Sequence, residues 1–313
     1  MKINVGAVFR RLGLLLVLIV LGAILATISP TFLRAQNLLN LLLQSSVNAL
    51  LAAGMTLVIL TAGIDLSVGS LLALTAVVTA DLLAGGIAVP LAIAGGLGVG
   101  AAAGLVNGLL ITKTKIPPFI ATLGMMTLAR GLALSYAAGR PITGMPASFR
   151  LMGAGQLLGI PVPVIIVAIV YALGLFVLKR TNFGRYILAI GNNAEASRHA
   201  GIPVHTTTIS VYVISGMLAA LAGMVMVARL NSAQPSMGMV FELNAIAAVV
   251  VGGTALSGGK GTLFGTLLGA ILLALISNAI NILNIPAFYA QVFQGAIIIL
   301  ALLVHSLTTG EQT

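Results

Sequence analysis

The feature that most constrains this chain is a succession of long apolar runs separated by short, Gly- and Pro-punctuated breaks. A run of about 20 apolar residues, wound as a helix, spans the ~30 Å hydrocarbon core of a bilayer. The runs are continuously apolar rather than alternating, which favours helices over barrel strands. Only 6% of the residues are charged and 59% are hydrophobic. Soluble domains carry roughly 25% charged residues, so a soluble fold of this size could not cover its surface. The fold class expected is all-α: a polytopic membrane helical bundle of about ten transmembrane helices, forming one domain over 1–313.

The expected spans are 12–29, 45–62, 67–84, 89–111, 119–137, 162–178, 207–229, 243–257, 262–283 and 288–306. Span 243–257 is short and could be partly re-entrant. The Gly-rich turns at 63–69 and 252–262 could dip into the bilayer. Proline removes a helical hydrogen bond and clashes with the preceding turn, and all eleven prolines fall in proposed loops or at span ends. The first apolar run exceeds the 7–15 residues of a signal-peptide core, so it reads as a retained span.

The net charge of +10 is no nucleic-acid signature, because the basic residues stand singly at span ends. With the N-terminus in the cytoplasm, Lys2, Arg10, Arg11, Lys113, Lys115, Lys179, Arg180, Arg185, Arg198 and Lys260 lie inside. Arg34, Arg140, Arg150 and Arg229 lie outside. That imbalance favours cytoplasmic N- and C-termini.

Catalytic chemistry finds no foothold. There is no cysteine, and the three histidines, His199, His205 and His305, lie near proposed inner loops and span ends with no clustered acidic partners. The stretch from Gly253 to Thr262 looks like a phosphate-binding loop but has Thr254 and Gly261 where that pattern needs Gly and Ser or Thr. The expectation is a protein that is not an enzyme and holds no cofactor or metal.

Polar residues inside the spans carry more information, because an unpaired polar group in lipid costs several kcal/mol. Gln44 and Asn48 share a face, as do Ser277, Asn278, Asn281 and Asn284 on a later span. Gln291 and Gln294 follow, and Asn107 sits in the fourth span. Amides bond hydroxyls in either sense, so Gln44, Asn48, Asn107, Asn278, Asn281, Gln291 and Gln294 are the candidates for a translocation path suited to sugars. Interhelical bonding is the alternative for each. Glycines recur every four residues at Gly96, Gly100, Gly104 and Gly108, for tight internal packing or for a dimer seam. Arg130 lies within a span and Asp65 at a turn; each is a gating or structural charge. Arg130 could pair with carbonyls or with Asp81, and Asp65 could cap the next helix. Arg229 and Glu242 bracket a loop and could pair.

The inner loop over about 179–206 is the longest polar stretch. Residues 193–200 suit a two-turn helix, capped by Asn192 or Asn193 and stopped by Gly201. Such a helix is a docking knob or lies on the headgroups. The sequence here resembles the permease subunits of bacterial ATP-binding-cassette (ABC) importers for monosaccharides. The resemblance is nearly full length and rests on Ser46-Val47-Asn48-Ala49, Gly54 to Thr61, Gly63 to Ser70, Gly184-Arg185-Tyr186, Ala228-Arg229-Leu230, Ser232 to Pro235, Ala245 to Val250 and the turn from Gly252 to Gly261.

The resemblance implies a permease in the bacterial inner membrane, with ribose as the expected sugar. The implied partners are a second permease copy, a cytoplasmic ABC ATPase that holds the ATP and Mg, a periplasmic or lipid-anchored sugar-binding protein, and lipid. By that likeness Asn192, Asn193, Ala194, Glu195, Ala196, Ser197, Arg198 and Gly201 match the coupling helix that meets the ATPase. Arg34, Arg140 and Arg150 are the expected docking charges for the binding protein. An ion-gradient-driven secondary transporter or channel is the alternative, which would need carboxylates near mid-membrane.

Overall fold

Eight of the expected spans correspond to helices, six of them within three residues of the expected limits, while the helices at 12–29 and 45–62 begin earlier, at Val5 and Ala35. The structure, a computed structural model, describes residues 5–283 without a break, with 285, 286, 289, 292, 295, 296 and 299 beyond them. The helices are α1 (Val5–Ile28), α2 (Ala35–Leu60), α3 (Val68–Ala84), α4 (Val89–Lys113), α5 (Pro118–Tyr136), α6 (Ala147–Ala154), α7 (Val162–Arg180), α8 (Asn182–Asn192), α9 (Ala194–His199), α10 (Val204–Leu230), α11 (Phe241–Val251) and α12 (Leu263–Ile282). Six of them, α2, α4, α5, α7, α10 and α12, are long and apolar enough to cross a membrane by length and composition. The tenth expected span, 288–306, with Gln291 and Gln294, and also Asn284, falls outside the fully described residues.

Proline sets several helix starts. Pro90, Pro118 and Pro163 occupy the first turns of α4, α5 and α7, where a missing N–H costs nothing. The chain is not purely helical. Two-residue strands β1 (Ile142–Thr143) and β4 (Ser232–Ala233) pair antiparallel, as do β2 (Gln156–Leu157) and β3 (Ile160–Pro161). With α6 they cover one end of the bundle, and Gly153 of α6 sits against the Ala228–Arg229 backbone. At the other end of α7 lie α8 and α9, so the molecule has an α6 face and an α9 face.

The bundle is built around α2 and α10, which are largely buried, while α4, α5 and α7 turn most of their side chains outward. On α7, Ile169, Leu173 and Phe176 form an exposed apolar stripe suited to lipid. The glycine ridge of α4 is internal packing. Gly100 meets the Gly216 backbone of α10, Gly104 the Tyr212 carbonyl and Gly108 the Ile209 backbone. No side chain intervenes, so the two backbones nearly touch.

The stretch 243–257 departs most from expectation. Its helix, α11, has 11 residues, about 16 Å at 1.5 Å per residue, which is half of the hydrocarbon thickness. It starts at Val240, in a left-handed conformation at φ 71°, and ends at Gly252, followed by Gly253 at φ 84°. Segment 231–240 precedes it without a helix of its own. A broken helix in a membrane is sustained only where protein satisfies its free backbone groups, and here that work falls to Arg130.

Candidate functional site

A cavity of about 230 Å³ opens between α2, α10, α11 and α12. Helical spacing brings Gln44, Ser45 and Asn48 of α2 to its wall. The last turn of α10 adds Arg229, the first turn of α11 adds Phe241 and Asn244, and α12 adds Leu273 and Ser277. Hydrogen-bonding capacity is left over. The Asn48 Oδ1 is buried with no partner, and the Arg229 guanidinium makes one long bond, donating to the Leu43 carbonyl at 3.4 Å. A buried polar atom without a partner is rare in a finished interior. Two-way donors and acceptors beside an aromatic ring form the usual chemistry for a polyhydroxylated ligand. None of the lining residues is Asp or Glu.

The structure distributes the other predicted path residues elsewhere. Asn278 is 4% exposed and clasps Asn37 of α2 through reciprocal amide bonds of 3.2 and 2.9 Å. Asn107 is fully buried and donates to the Ser67 hydroxyl at 3.0 Å. Asn281 is exposed. Arg229, Phe241 and Asn244 were not among the path residues anticipated. Asn244 could have been found as the one amide at the start of an otherwise apolar run. Arg229 was anticipated as a partner for Glu242, but its bond goes to Leu43.

Two charges organise the interior of the bundle. Asp65 is fully buried in the turn between α2 and α3. Its carboxylate accepts from the Ser67 N–H at 3.0 Å, the Ser67 hydroxyl at 2.5 Å and the Ser215 hydroxyl at 2.8 Å. It therefore ties the start of α3 to α10. Arg130 of α5 donates to the carbonyls of Pro235 and Met237, both at 2.8 Å, and to that of Gly69 at 3.5 Å. It pairs with carbonyls and not with Asp81, which accepts from the Tyr136 hydroxyl at 2.7 Å. Gly69 lies against Gly238 and Glu242. The starts of α3 and α11 thus meet inside the bundle, held by one guanidinium.

On the α9 face, Asn193 caps α9 by accepting from the Ala196 N–H at 2.8 Å. Glu195 lies in the first turn, where a negative charge suits the helix dipole, and Arg198 in the last. The helix stops at Gly201, φ 80°, whose N–H bonds to the Arg198 carbonyl at 3.0 Å. Asn192, Asn193, Ala194, Glu195, Ala196, Arg198 and Gly201 are exposed, and Ser197 is buried. The preceding stretch forms α8, an amphipathic helix the polar sequence did not announce. Its Gly191 packs on the Leu60 carbonyl and Gly259, and the Gly259 N–H donates to that carbonyl at 3.0 Å. The base of α9, the end of α2 and the α11–α12 turn are thereby one connected patch. Arg34, Arg140 and Arg150 all lie exposed, before α2, after α5 and on α6.

Comparison with known proteins follows the same lines. Residues 37–302 match the family model described as branched-chain amino acid transport system / permease component. The ribose import permease protein RbsC of Escherichia coli (strain K12) is 48% identical over 296 residues, covering 93% of this chain and 92% of that protein. RbsC of Bacillus subtilis (strain 168) is 46% identical over 304 residues, 96% and 94% of the two chains. The D-allose transport system permease protein AlsC of Escherichia coli (strain K12) is 40% identical over 300 residues, 95% and 92%. No solved structure matches the chain.

Proposed function

Because this chain belongs to the branched-chain amino acid transport system / permease component family, we propose that it is the membrane-spanning permease subunit of an ABC importer for ribose. The family description mentions amino acids, but the sugar reading has the closer support: relatives named for ribose import match nearly end to end at 46–48% identity. The observation that carries the reading is the amide-, hydroxyl- and guanidinium-lined cavity at the broken helix α11, with an unpaired Asn48 oxygen and no carboxylate.

The chain crosses the inner membrane about ten times, with both termini in the cytoplasm and the α9 face inward. It works as a pair of copies. An ATPase docks on α9, with Asn193, Ala194, Glu195 and Ala196 nearest to it, and this ATPase supplies the ATP and Mg chemistry. A sugar-binding protein docks on the α6 face near Arg34, Arg140 and Arg150. ATP binding draws the two α9 helices together. Through Gly191, that motion reaches the end of α2 and the α11–α12 turn, and so two walls of the sugar cavity. The permease contributes coupling between distant sites and no bond chemistry.

The test is uptake of a panel of labelled sugars by the complex reconstituted in vesicles with its ATPase and binding protein. Ribose uptake that requires ATP is expected. Uptake that persists without ATP and follows an imposed ion gradient would overturn the reading.

A further inference from the structure

A second cavity, about 420 Å³, opens on the α9 face between the α4–α5 turn, α9 and the start of α10. Lys115, Arg198 and His205 line it, and none of its lining residues is Asp or Glu. All three are exposed, which places them at the rim. Lys115 is held there by a left-handed backbone, φ 59°, a conformation that costs a non-glycine residue free energy. Arg198 and Ala194 are four apart on α9, and both line the cavity. Glu195, one position on from Ala194, points about 100° away.

The floor is different in kind. Tyr212 is 1% exposed, and its hydroxyl is buried against Gly63 with no hydrogen-bond partner. A phenol in such a place waits for an acceptor. Three cationic or N–H-bearing side chains converge on the same space. Beside the rim, Phe119 and Ile120 at the start of α5 are 51% and 56% exposed, so the basic mouth borders an apolar surface.

We propose that this cavity binds a phosphate group, carried by an anionic phospholipid of the leaflet at the α9 face. Phosphate oxygens accept from the Arg198 fork, the Lys115 ammonium and the Tyr212 hydroxyl. The acyl chains lie along Phe119 and Ile120. Basic residues that only orient a membrane protein are scattered over its surface; here they enclose a volume with an unspent donor at its base. Free phosphate shares the headgroup chemistry but has no use for the apolar border. The inference needs only that the chain sits in a membrane, so it stands or falls apart from the import reading.

The test uses the full-length chain in neutral detergent, with bound lipid counted by native mass spectrometry. The probes are phosphatidylglycerol, phosphatidylcholine and inorganic phosphate. Phosphatidylglycerol is expected to be retained and phosphatidylcholine not. Lys115→Gln with Arg198→Gln lowers phosphatidylglycerol affinity about tenfold or more, since each basic group near an anionic headgroup contributes substantially. Tyr212→Phe, a change of one buried atom, lowers it a few-fold. Lys179→Gln with Arg180→Gln, on the same face but outside the cavity, leaves it unchanged. Equal losses in the two double variants would assign the effect to general surface charge and overturn the site. Saturable binding of inorganic phosphate without retention of phosphatidylglycerol would overturn the lipid assignment. Loss of ATPase association at unchanged lipid retention would make the rim a protein contact instead.

Discussion

Asn48 is the residue on which the sugar reading presses hardest. It lines a cavity together with Gln44, Asn244 and Ser277, and its side-chain oxygen is buried and unpaired. One hydrogen bond to a ligand hydroxyl contributes about 0.5–1.5 kcal/mol net. Asn48→Ala is therefore expected to raise the KM for ribose roughly three- to tenfold, with the protein inserted and its ATPase contact intact. An unchanged KM in vesicle uptake would remove Asn48 from the path. Arg130 makes a different demand. Arg130→Met leaves the Pro235 and Met237 carbonyls buried without a donor, at about 1–3 kcal/mol each. The expected outcome is a clear fall in thermal midpoint in detergent, with Arg130→Lys partly restoring it through a single ammonium.

At the scale of elements, two contacts invite a quantitative check. The Asn193 cap of α9 contributes about 1 kcal/mol. Asn193→Ala should speed amide exchange at Ala196 and Ser197 about fivefold, and Asn193→Ser should largely restore protection. The Asn37–Asn278 clasp joins α2 to α12. Either residue changed alone to Leu strands its partner at about 1–3 kcal/mol, while the double change is nearly neutral. Unfolding midpoints of the three variants would separate a clasp from a path residue, because a path residue loses uptake in all three. Much of the element order was legible because apolar runs end at proline and glycine. α11 was harder: the expected span runs on to 257, but the chain turns at Gly253, φ 84°, and the helix stops at Val251. The start of α2 was hidden too. Arg34, Asn37 and Asn40 stand before the expected span, yet their spacing leaves Leu38, Leu41 and Ser45 to continue the helix, and Asn37 finds its partner 241 residues away. Such a pairing has no local signal. For the same reason the amide candidates could be named but not sorted: Gln44 and Asn48 meet at one cavity, whereas Asn107 and Asn278 are spent on neighbouring helices.

Across the whole molecule, α2 and α10 run from the amide-lined cavity to the α9 face, and α3, α4, α7, α11 and α12 each pack on one or both of them. The segment at the base of α9 packs on the end of α2 through Gly191, Leu60 and Gly259, the contact through which the proposed coupling would pass. Gly191→Leu forces that joint apart, and ATP hydrolysis uncoupled from ribose uptake is the expected result; full coupling in the reconstituted complex would refute the linkage. The contact of Gly100 with Gly216 bears on how such a protein can change over time. Most close-packed pairs drift by compensation, one side chain shrinking as the other grows. Here both partners are already at the smallest residue the genetic code offers, and each faces the other's backbone rather than its side chain. No second substitution can make room for a first. The pair therefore forms a ratchet in sequence space: a lineage that keeps the α4–α10 crossing keeps both glycines, and one that loses either must find another way to pack its central helix.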